Sequence, residues 1–343
     1  MGRAANFRRA LLAWYDRNRR ELPWRRDRDP YRVWVSEIML QQTRVAAVLE
    51  HYARFLKRFP TVQALASARE ASVLAIWSGL GYYHRARRMH QAAKVVVRER
   101  DGRFPQTAEE WLTLPGIGRY TASAVASIAF GEAVAVVDGN VERVLQRLFG
   151  KGAQVSPKDG RTLRQAQGRL WGTGPGREAA WRLAEALLDP ARPGDFNQAM
   201  MELGATICTP RAPQCLVCPV NAFCVSRGAG SVPAPAPRKL KAVNYALVRQ
   251  GDSTLLARRA ADSSLMAGMW ELPGLDPDLV NGDEPLLRVR HSITDTDYRV
   301  AVYSAHPDKF AHVAAESSWF TRRQRERLPL TGLTRKILRR LEL

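Results

Sequence analysis

Cys208, Cys215, Cys218 and Cys224 are the whole cysteine content of a 343-residue chain, and they fall within 17 residues as C-x6-C-x2-C-x5-C. Thiolates this close in sequence can converge on one metal centre, whereas a disulfide framework spreads its cysteines to tie distant segments together. Structural zinc usually takes its thiolates as two short pairs, and only Cys215 and Cys218 form such a pair. An iron–sulfur cube also takes four thiolates and accepts one short pair with longer arms. Spacing chemistry alone does not separate zinc from iron–sulfur, and four unrelated buried thiols are the bland alternative. Pro210, Pro213 and Pro219 make the segment a tight loop rather than a helix or strand.

Two acids come next. Asp138, in Val136-Val137-Asp138-Gly139-Asn140, ends an apolar stretch and precedes a helix. Taken alone, it reads as a helix cap in an Asp-Gly turn. Glu37 lies in Trp34-Val-Ser-Glu-Ile-Met-Leu-Gln-Gln-Thr43 among apolar residues. On an ordinary amphipathic helix it is a solvated polar position, but Val35, Ile38 and Met39 leave little room for an exposed face. A carboxyl against apolar neighbours has a raised pKa and holds a proton near neutral pH.

The elements that must position these groups are mostly helical from residue 4 to about 225. Arg32–Phe59 shows long apolar periodicity with few breakers, and Val141, Val144, Leu145 and Leu148 repeat at i, i+3, i+4, i+7. Leu183–Ile207 returns to a helical pattern that ends at the first cysteine. Thr107-Ala-Glu-Glu110 is a capping-box pattern that starts a short helix, and Leu114-Pro115-Gly116-Ile117-Gly118 breaks it. A second helix follows from Arg119. Such a turn exposes backbone N–H groups at a helix N-terminus, where glycines let a phosphate approach closely. A plain helix–turn–helix connection is the simpler reading, but the pattern resembles the helix–hairpin–helix of DNA repair proteins.

Residues 151–177 read as an exposed connector. Residues 226–240 hold Ser-Val-Pro-Ala-Pro-Ala-Pro, a semi-rigid linker. Beyond it, 242–249, 254–258, 288–293 and 298–304 are short β-leaning runs, and 330–343 suits a closing helix. The expected domains are therefore 1–225, helical, and 241–343, α+β. Lys plus Arg is 53 against 33 acids, a net charge of +20, which suggests a polyanionic partner. No apolar run approaches the length that spans a bilayer, and Met1–Arg20 has no apolar signal core. The expectation is a cytoplasmic, nucleoid-associated protein with no membrane partner.

The cysteine spacing resembles the [4Fe–4S] loop of the endonuclease III and MutY group of DNA glycosylases. The resemblance runs through five separated motifs in order and covers nearly the whole chain. The segment Ser36-Glu-Ile-Met-Leu-Gln-Gln-Thr43 is similar to MutY-type adenine glycosylases in particular. The fold it implies is an all-helical helix–hairpin–helix core with a [4Fe–4S] loop, followed by a Nudix-like α+β domain. On this resemblance Glu37 protonates the departing base and Asp138 stabilises the positively charged sugar. Tyr120 and Asn140 shape the site. Position 120 decides between chemistries: bifunctional relatives carry a catalytic Lys there, and a phenol cannot form the imine. Trp24 and Arg25 look like the adenine-pocket segment. Leu114, Gly116 and Gly118 hold a phosphate; Gln42, Thr43 and Tyr82 meet the opened duplex; Arg85, Arg87 and Arg88 grip phosphates.

Met269-Trp-Glu-Leu-Pro-Gly274 resembles the Nudix-like domain of that family, which recognises 8-oxoguanine. A Nudix hydrolase needs an R-E-x-x-E-E helix, which the sequence lacks. The family's tip loop commonly reads Phe-Ser-His, whereas Arg290-His-Ser-Ile-Thr-Asp295 stands here, leaving Ser292 or Thr294 to supply a hydroxyl. The resemblance implies a monomeric, monofunctional glycosylase acting on double-stranded DNA with A·8-oxoguanine or A·G mispairs. The alternatives are a T·G or oxidised-pyrimidine glycosylase on the same fold, and a non-catalytic iron–sulfur DNA-binding protein.

Overall fold

The structure, a computed structural model, describes residues 2–150, 153–155, 162–164, 175–227, 237–263, 265–280, 284–307 and 317–343. The proline-rich stretch 228–236 and most of the 151–177 connector lie outside the described residues. The helices are α1 (Arg3–Asn18), α2 (Pro30–Leu40), α3 (Val45–Arg58), α4 (Val62–Ala66), α5 (Glu70–Trp77), α6 (His84–Arg100), α7 (Ala108–Leu112), α8 (Arg119–Phe130), α9 (Gly139–Phe149), α10 (Pro175–Leu187), α11 (Pro193–Thr206), α12 (Arg322–Arg325) and α13 (Gly332–Arg340). The strands are β1 (Ala153–Val155), β2 (Thr162–Arg164), β3 (Lys239–Gln250), β4 (Ser253–Arg258), β5 (Trp270–Glu271), β6 (Leu287–Ile293), β7 (Thr296–Ala305) and β8 (Ser317–Thr321).

Two periodic stretches of the sequence break into separate helices, the first where no Gly or Pro announces it and the second at Pro190 and Pro193. Arg32–Phe59 becomes α2 and α3, separated at Gln42, which adopts a left-handed φ of 55°. Leu183–Ile207 becomes α10 and α11. No helix among the described residues is long and apolar enough to cross a membrane.

Contacts divide the chain into two compact units, Met1–Gln42 with Val95–Ala234, and Thr43–Lys94 with Pro235–Leu343. In the first, the apolar stripes of α1 (Phe7, Leu11, Tyr15), α9 (Val141, Leu145, Leu148), α10 (Trp181) and α11 (Phe196, Met200, Leu203) close one core. The cysteine loop packs against that core through Cys208, Cys218, Phe223 and Cys224. A second aromatic cluster joins Tyr31 and Trp34 of α2 to Phe104 and Trp111, with the Phe104 and Trp111 rings stacked at 5.7 Å.

In the second unit the strands run in the order β5-β4-β3-β7-β6, with β8 on β4. β3 and β7 pair in parallel, Val243 opposite Val300; β6 and β7 form an antiparallel hairpin. The strand alternation works as period two requires. Tyr245 and Leu247 face a core with Val300, Val302 and the Leu333, Ile337 and Leu338 stripe of α13. Ala246 and Val248 face the opposite side with Leu255. Helices α3–α5 belong to this unit by contact, through Ser78 Oγ donating to the Leu330 carbonyl at 2.7 Å and Arg335 Nε donating to Ser78 Oγ at 3.0 Å.

Candidate active site

Asp29 starts α2 by accepting the Arg32 N–H at 3.0 Å, with Pro30 at the first helical position. The helix then has no solvent face: Tyr31 and every residue from Val33 to Met39 are buried. Glu37 is carried into that interior and is 5% exposed. The Tyr120 hydroxyl, one residue into α8, donates to Glu37 Oε2 at 2.6 Å. Burial pushes the Glu37 carboxyl up to about 7. The Tyr120 hydrogen bond and the charge of Arg25 oppose that rise, and the charge of Asp138 adds to it. Tyr120 is itself raised well above its ordinary value by burial and by the two carboxylates, so it stays a neutral donor. With Oε2 occupied as an acceptor, the proton of Glu37 is left to Oε1.

Asp138 is the helix cap the sequence allowed. It caps α9, its Oδ1 accepting the N–H groups of Asn140 at 2.9 Å and Val141 at 2.7 Å. Its Oδ2 accepts from the Asn140 side chain at 2.9 Å. Burial raises its carboxyl above the ordinary value, while these three donors and Arg143 pull it back. The segment leading to it is fixed by Asn197, 2% exposed, which accepts from Val136 N at 3.2 Å and donates to the Val134 carbonyl at 2.8 Å. Arg143 extends the network. Its Nη2 donates to Asn140 Oδ1 at 2.8 Å and to the Gly204 carbonyl at 2.7 Å, and its Nε donates to the Cys208 carbonyl at 3.0 Å. Gly204 is a contact point in its own right, because a Cβ there meets Asn140 Cβ at 2.6 Å. Gly204→Ala should therefore displace Asn140 and cost roughly 1–3 kcal/mol of stability. A thermal midpoint unchanged within error contradicts this.

Trp24 and Arg25 sit in a short 3-10 turn, both largely buried. Arg25 lies over the Tyr15 ring at 5.6 Å and donates to Glu202 Oε2 at 2.9 Å. Arg20 holds the same carboxylate at 2.6 and 2.7 Å. Glu202 is 1% exposed; the two guanidinium groups outweigh its burial and hold it at about 2. Sequence reasoning missed Glu202 and Arg20. The available signal was an acid inside Met200-Met201-Glu202-Leu203, the same signature that marks Glu37.

The hairpin forms as expected. Thr107 caps α7 through the Glu110 N–H at 3.3 Å, although the Glu110 side chain accepts from Gln106 N at 2.9 Å rather than from Thr107. Leu114 is buried, Gly116 turns the chain with a φ of 76°, and Gly118 begins α8 with no side chain capping its N–H groups. That leaves an anion-accepting helix start. The four cysteines line one small cavity beneath α9 and α11. Burial pushes Cys218 up to about 11, with the other three sulfurs adding to it. Arg147 Nη1 donates to Cys208 Sγ at 3.3 Å. Among the described residues no three His, Cys, Asp or Glu side chains are placed to hold a single metal ion.

In the second unit Tyr82 is 38% exposed and left-handed at φ 49°. Arg85 differs from its expected role at a phosphate. It is 5% exposed, under the Tyr82 ring, and donates to Thr43 Oγ1 at 3.1 Å and to the Gly81 carbonyl at 3.2 Å. Arg87 is likewise engaged, with Glu70 at 2.9 Å and the Ala267 carbonyl; Arg88 is exposed. Buried Arg85 and half-buried Arg87 both hold protein groups in place. Ser292 and Thr294 are exposed on the β6–β7 hairpin. The Ser292 hydroxyl donates to Asp297 at 2.6 Å, and Thr294 occupies the turn at φ 49°.

Residues 35–169 match the family described as HhH-GPD superfamily base excision DNA repair protein. The solved structure of a thermostable thymine-DNA glycosylase is 30% identical, covers 65% of this chain and 95% of its own, and superposes with a TM-score of 0.54. The chain belongs to the HhH-GPD superfamily. Glu37, Tyr120 and Asp138 all lie inside the HhH-GPD match, and the cysteine loop lies beyond it. Among curated relatives, the Homo sapiens adenine DNA glycosylase is 53% identical over 230 residues, which is 64% of this chain and 39% of that protein. The Mus musculus adenine DNA glycosylase is 40% identical over 342 residues, 82% of this chain and 63% of its own. This HhH-GPD chain thus spans less than two thirds of the length of these curated relatives.

Proposed function

We propose that the protein is a monofunctional adenine DNA glycosylase of base excision repair, acting on adenine opposite 8-oxoguanine or guanine in double-stranded DNA. The observation that carries this reading is Glu37: a buried carboxyl held near pKa 7, fixed by Tyr120 and coupled to Asp138. The relatives named adenine DNA glycosylase support the choice of base.

The target bond lies inside a duplex, so the nucleotide must first swing out of the stack. Glu37 Oε1 then gives its proton to a ring nitrogen of the adenine. The C1′–N bond breaks and its electron pair leaves with the base. The oxocarbenium-like sugar that remains faces the Asp138 carboxylate, held by its cap and by Asn140. Water adds to C1′ and returns a proton to the Glu37 carboxylate, which resets the site. Tyr120 orients Glu37 and supplies no amine, so the product is an intact abasic strand.

The cysteine loop suits a [4Fe–4S] cluster. Such a cluster takes four thiolates around one centre, and the four cysteines line one cavity here. Cys208, Cys215, Cys218 and Cys224 would hold it, and its contribution is to order the loop. The domains we propose are 1–225 for base removal and 241–343, a Nudix-like module, for reading the opposite base through the Ser292–Thr294 tip. Labelled duplexes carrying A·8-oxoguanine, A·G and T·G test the substrate. Breaks confined to adenine, and only after alkali, are expected. Breaks at T·G favour the thymine reading that the 30% structural match keeps in play, and breaks without alkali refute the role of Tyr120.

A further inference from the structure

The C-terminal end of the second unit holds a cleft of about 670 Å³ that base removal leaves unused. Arg322 and Arg325 of α12 and Arg335 and Arg339 of α13 line it, against Glu326 and Glu342. The two on α13 are four residues apart and share a helix face. None of the four arginines forms an ion pair among the described residues, although two carboxylates share the cleft.

Two of the four are fixed from behind. Arg325 is 5% exposed and donates to Thr254 Oγ1. Arg335 donates through Nε to Ser78 Oγ at 3.0 Å, and its Nη2 is buried with no hydrogen-bond partner among the described residues. Burial pulls both guanidinium groups below their ordinary pKa. Asp252 opposes this at Arg325, where Arg249 and Arg322 add to it; Tyr83 opposes it at Arg335, where Arg54 adds to it. A guanidinium does not give up its proton at physiological pH, so both groups stay charged, buried Arg325 and half-buried Arg335 alike. Exposed Arg322 and Arg339 complete the ring.

We infer that this cleft binds a phosphate ester. Arginine forks match tetrahedral oxyanions with two parallel hydrogen bonds each, and four cations exceed the two carboxylates of the cleft. The volume is larger than a lone phosphate needs, and Leu330, Leu338 and Leu343 give an apolar wall for an attached sugar or base. The phosphate belongs either to a free nucleoside monophosphate or to a nucleic-acid backbone. The inference stands independently of the base-removal chemistry.

The test uses the full chain and three probes: inorganic phosphate, deoxyadenosine monophosphate and a short undamaged duplex. The variant R322Q/R339Q is compared with R323Q/R340Q, a charge-matched pair of exposed arginines outside the cleft. We expect saturable binding of at least one phosphate probe, or a steep salt dependence of duplex binding, weakened in R322Q/R339Q alone. For the small probes the loss is at least about tenfold. A backbone source shows instead as a salt slope flattened by about 1–2 in R322Q/R339Q beyond the control. Equal losses in both variants, or no saturable small-probe binding together with equal salt slopes, overturn the inference.

Discussion

Glu37→Gln should slow single-turnover release of adenine by roughly 10³–10⁴-fold while leaving duplex affinity nearly unchanged. Gln keeps the size of the side chain and can still accept the Tyr120 hydrogen bond now made at 2.6 Å. It cannot donate a proton. The same change should stabilise the protein at alkaline pH. The folded pKa of Glu37 is raised from 4.5 to about 7, so the native state holds more protons than the unfolded chain across that window. Stability contributed by this residue therefore falls as pH rises from about 4.5 to 7. Above that window the buried carboxylate costs stability that Gln does not. E37Q should gain roughly 1–3 kcal/mol at pH 8 and much less at pH 5. Wild-type rates of base release in E37Q remove Glu37 from the mechanism. A loss of stability at pH 8 contradicts the origin assigned to its raised pKa.

Asp138→Asn is the second large effect. The cap survives, because an amide oxygen can still accept from Asn140 N and Val141 N; that role is worth only about 1 kcal/mol. The other oxygen becomes an NH₂ facing the Asn140 side chain that now donates to it at 2.9 Å. Asn140 must turn, and the negative charge at the developing cation is gone. Base release should fall about 10³-fold. The charge of Asp138 also helps raise Glu37, so the alkaline limb of any residual activity should move to lower pH. Single-turnover rates across pH check both parts; a D138N protein with a full rate contradicts the electrostatic role.

The groups nearest the chemistry were legible because each sits in a short local pattern. Glu37 stands among apolar residues, Asp138 follows an apolar stretch, and Tyr120 occupies a definite place after a Pro-Gly-x-Gly turn. Their supports were not legible, because the partners are far apart in sequence. Asn197 fixes the segment before Asp138 from 61 residues away, and Arg20 meets Glu202 across 182 residues. Arg85 misled for a related reason. In Arg85-Ala-Arg87-Arg88 three cations read as one basic surface, yet the helix turns Arg85 inward and leaves Arg88 outside. The same limit applies to the fold. A change from helix to strand composition is visible beyond residue 240, but the contact between Ser78 and Leu330 that groups α5 with the later strands leaves no mark on either segment.

The central claim is that a buried, protonated Glu37 drives departure of adenine. Its most direct test is the single-turnover rate of adenine release from an A·8-oxoguanine duplex, measured from pH 5 to 9 under enzyme excess. The rate should hold on the acid side of neutrality and fall above a midpoint of about 7, tenfold for each further pH unit. A rate that stays flat through pH 8.5, or that climbs with pH, contradicts the account.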